Sequence, residues 1–170
     1  MPAPTFPVNA HRYDPYRTFK FRVSINGVVV AALSKMTALK KKTEAVQWRS
    51  AGDPSHQRVM PGGTTYEPVT LEQGLTHDPV FEEWASAVNN LPQGDAGMSL
   101  RNYRREVVID VLNLQGLPAL TYQLHRAWVS EFQALPDFDA NTMNAVGIQS
   151  ITIQHEGFER DPATAEPAET

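Results

Sequence analysis

The chain has no cysteine among its 170 residues, which excludes disulfide bonds, thiolate metal ligands and cysteine nucleophiles. It also lacks any apolar run near the ~20 residues that a membrane-spanning helix needs, so we expect no membrane anchor. The N-terminus lacks the basic and apolar regions of a secretory signal, which predicts synthesis in the cytoplasm without a signal peptide. The net charge of −4 lacks the basic excess typical of a dedicated nucleic-acid binder.

Patterns of catalytic residues are also missing. No two histidines have the spacing of a helical zinc site, and there is no Gly-x-Ser-x-Gly motif. The Gly62-Gly63 pair lacks the spacing and the lysine of a phosphate-binding loop. Asp78, next to His77, is better explained as a helix cap than as half of a catalytic dyad. We therefore expect no enzyme, no metal and no cofactor. The five histidines are His11, His56, His77, His125 and His155.

Composition divides the chain into three parts. Residues 1–15 contain four prolines and predict an extended arm. Residues 16–158 carry the periodic patterns and predict one domain, as suits a chain of this length. Residues 159–170 are acidic, contain proline and lack large apolar groups, which predicts a flexible tail.

The first periodic segment predicts a β-hairpin with one apolar and one polar face. Because side chains alternate along a strand, we expect Phe19, Phe21, Val23 and Ile25 on one face and basic residues, including Lys20 and Arg22, on the other. Asn26-Gly27 has the residues that a tight type I′ turn prefers. The run from Val28 to Leu33 is then expected to pair back on the first strand.

Further strands are predicted along the rest of the chain. Between two of them, residues 50–65 form a long polar segment with three glycines and prolines at 54 and 61, which is either a functional loop or a protruding arm. A phase slip between Ile148 and Ile151 predicts a bulge in the last strand. On the strand after the polar segment, Val69 and Leu71 share one face and Thr70 and Glu72 the other. The predicted strands span residues 43–49, 66–74, 101–113, 120–132 and 145–156.

A single helix is predicted over residues 79–90. Asp78 is a suitable N-cap, and Pro79 fits the first helical position, where its missing N–H costs nothing. An apolar stripe at helical spacing must dock on a sheet. We therefore expect a mainly β fold, a small β-barrel or sandwich of about six to seven antiparallel strands with one capping helix. The predicted core residues are Phe19, Phe21, Val23, Trp84, Val88, Trp128, Ile151 and Ile153.

These landmarks, in order over residues 14–160, resemble the tail tube proteins of contractile phage tails and contractile injection systems, the group related to the tube protein of large myophages. The resemblance rests on Asp14-Pro15-Tyr16-Arg17 with the alternating strand that follows, on Glu44 to Asp53, and on Met60-Pro61-Gly62. It continues through Phe81-x-x-Trp84 and Ala127-Trp128 to the closing segment Ile151–Arg160.

The resemblance implies a structural subunit of an inner tube, built from stacked six-membered rings around a lumen and driven into a target by sheath contraction. Its implied partners are copies of itself, the sheath protein, baseplate or spike and terminator proteins, and protein cargo in the lumen, with nucleic acid only if the particle is a phage tail. The implied location is a phage tail or an injection particle, extracellular after lysis.

On this interpretation, residues 50–65 and their flanks reach an adjacent ring, and one polar face lines the lumen. The inter-ring candidates are Arg49, Asp53, Gln57, Arg58 and Met60, and the lumen candidates are Lys20, Arg22, Thr70 and Glu72. The basic run Lys40-Lys41-Lys42 either meets an acidic partner or is solvated charge. The alternative function is a monomeric β-barrel that binds a small apolar ligand inside its sheet.

Overall fold

The computed structural model describes residues 15–167, which fold as ten strands and one short α-helix. The mainly β architecture with one helix is therefore confirmed, although the long predicted segments divide into more strands than the expected six to seven. The expected arm at residues 1–15 lies outside the described residues except for Pro15. The strands are β1 (Phe21–Ile25), β2 (Val28–Val29), β3 (Leu33–Met36), β4 (Lys41–Trp48), β5 (Arg58–Tyr66), β6 (Val69–Gly74), β7 (Arg105–Leu112), β8 (Pro118–Gln133), β9 (Ile148–Gln154) and β10 (Phe158–Arg160), and the helix is α1 (Val80–Ser86).

Two antiparallel sheets share the long strand β8. Its N-terminal half pairs with β7 and β10, and its C-terminal half pairs with β9. The main path runs β2-β1-β7-β8-β9-β6-β3, while β4 and β5 form a separate two-stranded sheet. Within residues 15–167 no pairing joins β2 to β3, so the path is not closed by backbone hydrogen bonds. Apolar side chains of both sheets meet in one core, which includes Val23, Ile25, Leu71, Val107, Leu124, Ile151 and Ile153.

The first hairpin turns where the sequence predicts but is shorter. Asn26 and Gly27 have φ angles of 48° and 82°, as a type I′ turn requires, and this prediction is confirmed. The expectation that Val28 to Leu33 pairs back is confirmed only for its first part. Val28 and Val29 form β2, and the Val30 N–H donates to the Val23 carbonyl at 2.9 Å. After the buried Val30 the chain turns at Ala32, with φ of 54°, and Leu33 enters the other sheet beside β6.

Phe19 is a correction to the predicted core. It is 60% exposed, because the chain turns at residues 18–19 and the alternating strand begins two residues later, at Phe21. Of the other predicted core residues, Val23, Trp84, Ile151 and Ile153 are buried. Phe21, Val88 and Trp128 are half-buried.

The helix is shorter than predicted. It ends at Ser86 rather than Asn90, because the N–H of Ala87 bonds to the carbonyls of both Glu83 and Trp84 and tightens the last turn. The predicted start also shifts by one residue, because Pro79 rather than Asp78 is the N-cap and the helix begins at Val80. Oδ1 of Asp78 accepts a hydrogen bond from the Val80 N–H at 3.2 Å. The helix packs on β8 and β9, and this places Phe81 and Trp84 in the core.

Three predicted strand details change. The segment 66–74 is two strands separated at Glu67-Pro68, since proline has no N–H to donate. The predicted bulge in the last strand is wrong, because β6 and β9 pair in unbroken register and the irregularity lies in β8, between Val129 and Glu131. Glu159 and Arg160 belong to β10, whereas the sequence predicts that they start the tail.

Candidate subunit interface

A hairpin protrudes from the end of the sheet. The hydrogen-bonded ladder of β3 and β6 continues into that of β4 and β5. Two backbone bonds connect them: the Thr37 N–H donates to the Thr70 carbonyl, and the Glu67 N–H donates to the Lys40 carbonyl. We call residues 40–66 the arm. It continues roughly 25 Å past the sheet, at ~3.3 Å per residue. The sequence predicts either a functional loop or a protruding arm for residues 50–65, and in the structure they belong to a protruding arm.

The arm exposes apolar side chains, and within the described residues the ring contacts of its last residue, Tyr66, with His155 and Phe158 lie at its base. All eight residues of β4 and eight of the nine in β5 are exposed. An isolated two-stranded hairpin is marginally stable in water, since it lacks a sheet face or a helix to pack on. The arm therefore has the properties of a segment completed by another chain. Its exposed large apolar residues are Val46, Trp48, Val59 and Met60.

The tip of the arm has a defined conformation. Oδ2 of Asp53 accepts a hydrogen bond from the Ser50 N–H at 2.8 Å, and Oδ1 lies 2.7 Å from Nη2 of Arg58. Arg49 donates to the Asp53 carbonyl at 3.2 Å, and the Arg58 guanidinium lies 5.2 Å from the centre of the Trp48 ring. Asp53 thus organises both sides of the tip, which limits the entropy lost when a partner binds.

The five inter-ring candidates all lie on the arm. Arg49, Asp53 and Gln57 are in the tip, and Arg58 and Met60 are in β5. A bulge near the middle of the arm is tied to Gly62, where a Cβ would lie 2.8 Å from Cγ2 of Val46. A side chain at position 62 would therefore require the Val46 side chain to move.

The four lumen candidates do not form one surface. Arg22 is on β1, while Thr70 and Glu72 are on β6, and these strands belong to sheets whose opposite faces share the core. Each candidate also has a partner. Arg22 binds Asp110 at 2.7 Å and Glu72 lies 3.5 Å from Lys35. The hydroxyls of Thr70 and Thr152 are 3.2 Å apart, and Nζ of Lys20 donates to the Leu114 carbonyl.

A histidine and two carboxylates connect three strands on the first sheet. Nδ1 of His125 lies 3.1 Å from Glu106, and Nε2 lies 2.9 Å from Glu159. Nearby, Glu156 is paired with both Arg104 and Arg126. These contacts hold β7, β8 and β10 together. Within residues 15–167 no group of three or more His, Cys, Asp or Glu side chains is arranged to hold a metal ion.

His155 lies at the base of the arm. Nε2 is 3.1 Å from the carbonyl oxygen of Glu67, and the rings of Tyr66 and Phe158 pack around the imidazole. Burial lowers the pKa of His155 below its ordinary value of 6.5 and outweighs backbone hydrogen bonds to Glu67 and Gly157, which raise it. The imidazole is therefore held in its neutral form where the arm joins the sheet.

This shift predicts acid sensitivity. Below pH 6.5 the unfolded chain binds a proton at this residue more readily than the folded chain does. The stability that the neutral imidazole contributes is therefore complete above pH 6.5 and is lost as the pH falls. We expect the free energy of unfolding to fall between pH 7 and pH 5, by less than about 1.4 kcal/mol per pH unit from this group. Urea titrations at each pH measure it. His155→Gln should flatten the slope and the exposed-site control His77→Gln should not; equal slopes in all three proteins would contradict the assignment.

The described residues thus define a β-sandwich protein whose protruding, exposed hairpin suits it to binding other chains. A search of curated proteins finds no significant match. The profile of the T4-like virus tail tube protein gp19 family matches residues 17–159. This chain belongs to that family.

Solved structures give the same fold at low sequence identity. The tube-terminating cap of the anti-feeding prophage superposes with a TM-score of 0.74 at 20% identity, covering 91% of this chain and 96% of the other. The sheath-tube complex of the extracellular contractile injection system PVC gives 0.70 at 19% identity, over 86% and 91%. Hcp1 from Flavobacterium johnsoniae gives 0.54 at 13% identity, over 88% and 100%. No helix in the described part of the chain is long and apolar enough to cross a membrane.

Proposed function

We propose that this protein is the structural subunit of the inner tube in a contractile phage tail or contractile injection particle. Six copies form a ring, and rings stack into a hollow tube. Membership of the tail tube family supports this function, and the protruding arm is the observation that carries it. A rigid ladder with an ordered, apolar tip is suited to fastening one ring to the next.

The partners follow from the same assignment. The sheath protein surrounds the tube and shortens to push it out, a baseplate or spike starts it, and a terminator ends it. Proteins with this fold occur in a sheath-tube complex, a tube-terminating cap and a baseplate of contractile systems. Protein cargo, or DNA in a phage, passes through the lumen, and the particle leaves its cell by lysis. The subunit's own role is mechanical, with no catalysis.

The division of the chain remains part of this proposal. The tube domain includes residues 16–160, because Glu159 and Arg160 pair with β8 in β10. One polar sheet face lines the lumen. Lys20 and Arg22 belong to one sheet and Thr70 and Glu72 to the other. We therefore propose that one of these pairs faces the lumen, and charge reversal at Arg22 and, separately, at Glu72 tests which.

The ligand-binding alternative is not supported by the interior. The space between the sheets is filled by Phe81, Trp84 and branched aliphatic side chains of both sheets. A cleft of about 260 Å³ lined by Tyr16, Phe21 and Ile109 opens at the surface near the start of β1. It lies beside the core rather than inside a closed sheet, where the alternative places its ligand.

Shortening the arm tests the proposal. Replacing residues 44–63 with Asn-Gly keeps the Thr43–Thr64 pair, whose hydroxyls are 2.9 Å apart, and closes it with a two-residue turn. Because the removed residues contribute no fully buried side chain, we expect a thermal midpoint within a few degrees of the full chain. Tubes should be lost in negative-stain images. Normal tubes from the shortened protein, or a strictly monomeric full-length protein at high concentration, would contradict the proposal.

A further inference from the structure

The loop between β8 and β9, residues 134–147, exposes an unusual amount of apolar surface. We call it the end loop. The side chains of Leu135, Phe138, Met143 and Val146 are 63%, 71%, 92% and 76% exposed. A single exposed apolar residue needs no explanation, but four large ones within one loop mark an interaction surface.

The end loop has a defined shape. Oδ1 of Asp139 accepts a hydrogen bond from the Asn141 N–H at 2.9 Å, and the Thr142 N–H donates to the Asp139 carbonyl at 3.1 Å. At its end, the Leu75 N–H donates to the Gly147 carbonyl at 3.0 Å. The apolar side chains are therefore presented from an ordered backbone.

The end loop and the arm lie at opposite ends of the same strands. The end loop follows the Gln133–Ser150 pair of β8 and β9, next to the Gly74–Ile148 pair of β6 and β9. The arm leaves from the other end of β6, beyond the Val69–Ile153 pair. A contact between two different ends of identical chains is heterologous, and it generates rings or open stacks.

The two surfaces also have complementary charge. The arm contains five basic residues, Lys40, Lys41, Lys42, Arg49 and Arg58, and two acidic ones, Glu44 and Asp53, for a net charge of +3. The end loop contains Asp137 and Asp139 and no lysine or arginine, for a net charge of −2. Opposite charge at the margin of two apolar surfaces favours one pairing over others.

We propose that the end loop is the surface that receives the arm of the next copy of this chain in the tube. The inference rests on the proposed function and adds the acceptor surface to it. It also gives Lys42 an acidic partner, in place of simple solvation. The face of the arm that carries Val46, Trp48 and Met60 packs on the neighbour's end loop, and Lys42 on the same face lies toward its Asp137.

Crosslinking tests the contact directly, because the natural chain has no cysteine. Met60 is exposed and shares a face of the arm with Val46 and Trp48. In assembled tubes of the double variant Met60→Cys with Met143→Cys, mild oxidation should link each copy to the next and give a ladder on a non-reducing gel. The matched control is Met60→Cys with Leu117→Cys, since exposed Leu117 lies before the opposite end of β8. We expect dimers at most from the control. Tubes that form normally but give no ladder beyond the control would overturn the inference and leave the tube function standing.

A charge swap tests the polar part. Lys42→Glu and Asp137→Lys should each shorten the tubes at low salt by at least about twofold in median length, as exposed ion pairs are weak. The double variant should recover most of the length, and high salt should reduce the differences. Equal loss in the singles and the double would contradict the pairing.

A loop variant separates stacking from sheath binding. Phe138→Ser with Met143→Ser should leave the thermal midpoint unchanged, because both side chains are exposed, and should abolish stacking. Leu117→Ser is the control and should stack normally. If the loop variant stacks normally but loses its sheath, the end loop is a sheath contact and the inference is wrong. If the unmodified protein forms no tubes, the proposed function itself fails.

Discussion

Replacing Trp84 with alanine is expected to lower the free energy of unfolding by about 3–5 kcal/mol. The indole is fully buried between α1 and the sheets, and its Nε1 donates to the Tyr103 carbonyl at 2.8 Å. The Arg105 guanidinium lies 5.6 Å from the ring centre. Truncation leaves a cavity, an unpaired carbonyl and a guanidinium without its aromatic surface. Since small domains have ~5–15 kcal/mol in total, the variant should be close to unfolding at 37 °C.

The other two tryptophans supply matched controls. Trp48 lies on the exposed arm, so Trp48→Ala should change the free energy of unfolding by less than about 1 kcal/mol while weakening tube assembly. Trp128 is half-buried and should give an intermediate loss. Urea titrations followed by circular dichroism measure all three, because fluorescence would change with tryptophan number. A loss for Trp48→Ala as large as for Trp84→Ala would show that the arm is part of the core.

A buried pair of glutamines should give the second large effect. Gln73 is fully buried, and its Nε2 donates to the Ala31 carbonyl at 2.6 Å and lies 3.4 Å from Oδ2 of Asp78. Its Oε1 accepts from Nε2 of the buried Gln149 at 3.0 Å. The two amides connect β6 and β9 to the chain segment just before β3, at Ala31, and to Asp78 at the start of the helix. Gln73→Leu should cost about 1–3 kcal/mol, because it leaves the Gln149 amide buried without this acceptor.

A double-mutant cycle isolates this pair. Gln149→Leu should also cost about 1–3 kcal/mol, since it removes the donor to Gln73. The double variant Gln73→Leu with Gln149→Leu should cost less than the sum by about 1–2 kcal/mol, because neither amide is left unpaired. Thr152→Val is a suitable comparison on the same strand, at a half-buried hydroxyl that faces away from the core. Strict additivity of the two glutamine variants would contradict a coupled pair.

The strand patterns predicted from the sequence agree with the structure where burial is regular. Alternation in β1 and β6 reflects contact of one face with the core, and Asn26-Gly27 forms the expected turn. Phe19 is predicted to be buried but is exposed, because it lies in a turn that precedes the strand. The position of a turn depends on the path of the chain rather than on side-chain polarity. The bulge predicted in β9 is wrong because Gln149, a polar residue, occupies a buried position of the regular alternation. The polar side chain makes the apolar pattern look interrupted although the strand is regular.

The arm shows the limit of the sequence signal more clearly. Glu44, Val46 and Trp48 alternate as if one face of β4 were buried, yet both faces are exposed. On the proposed function, the alternation reflects a contact with a neighbouring copy that a single chain does not contain. The end loop has no periodic signal, and its importance follows from the exposure of Leu135, Phe138, Met143 and Val146.

By itself, the sequence determined the mainly β class, the opening turn, the presence of one helix and the resemblance to tail tube proteins. Those properties depend on local conformational preference and on the order of short motifs. The tertiary structure decided that Gln73 and Gln149 pair, that residues 40–66 protrude, and that the arm and the end loop lie at opposite ends of the molecule. Pairing between distant strands fixes these relations, because the free energy of a strand pair depends on which side chains meet across it.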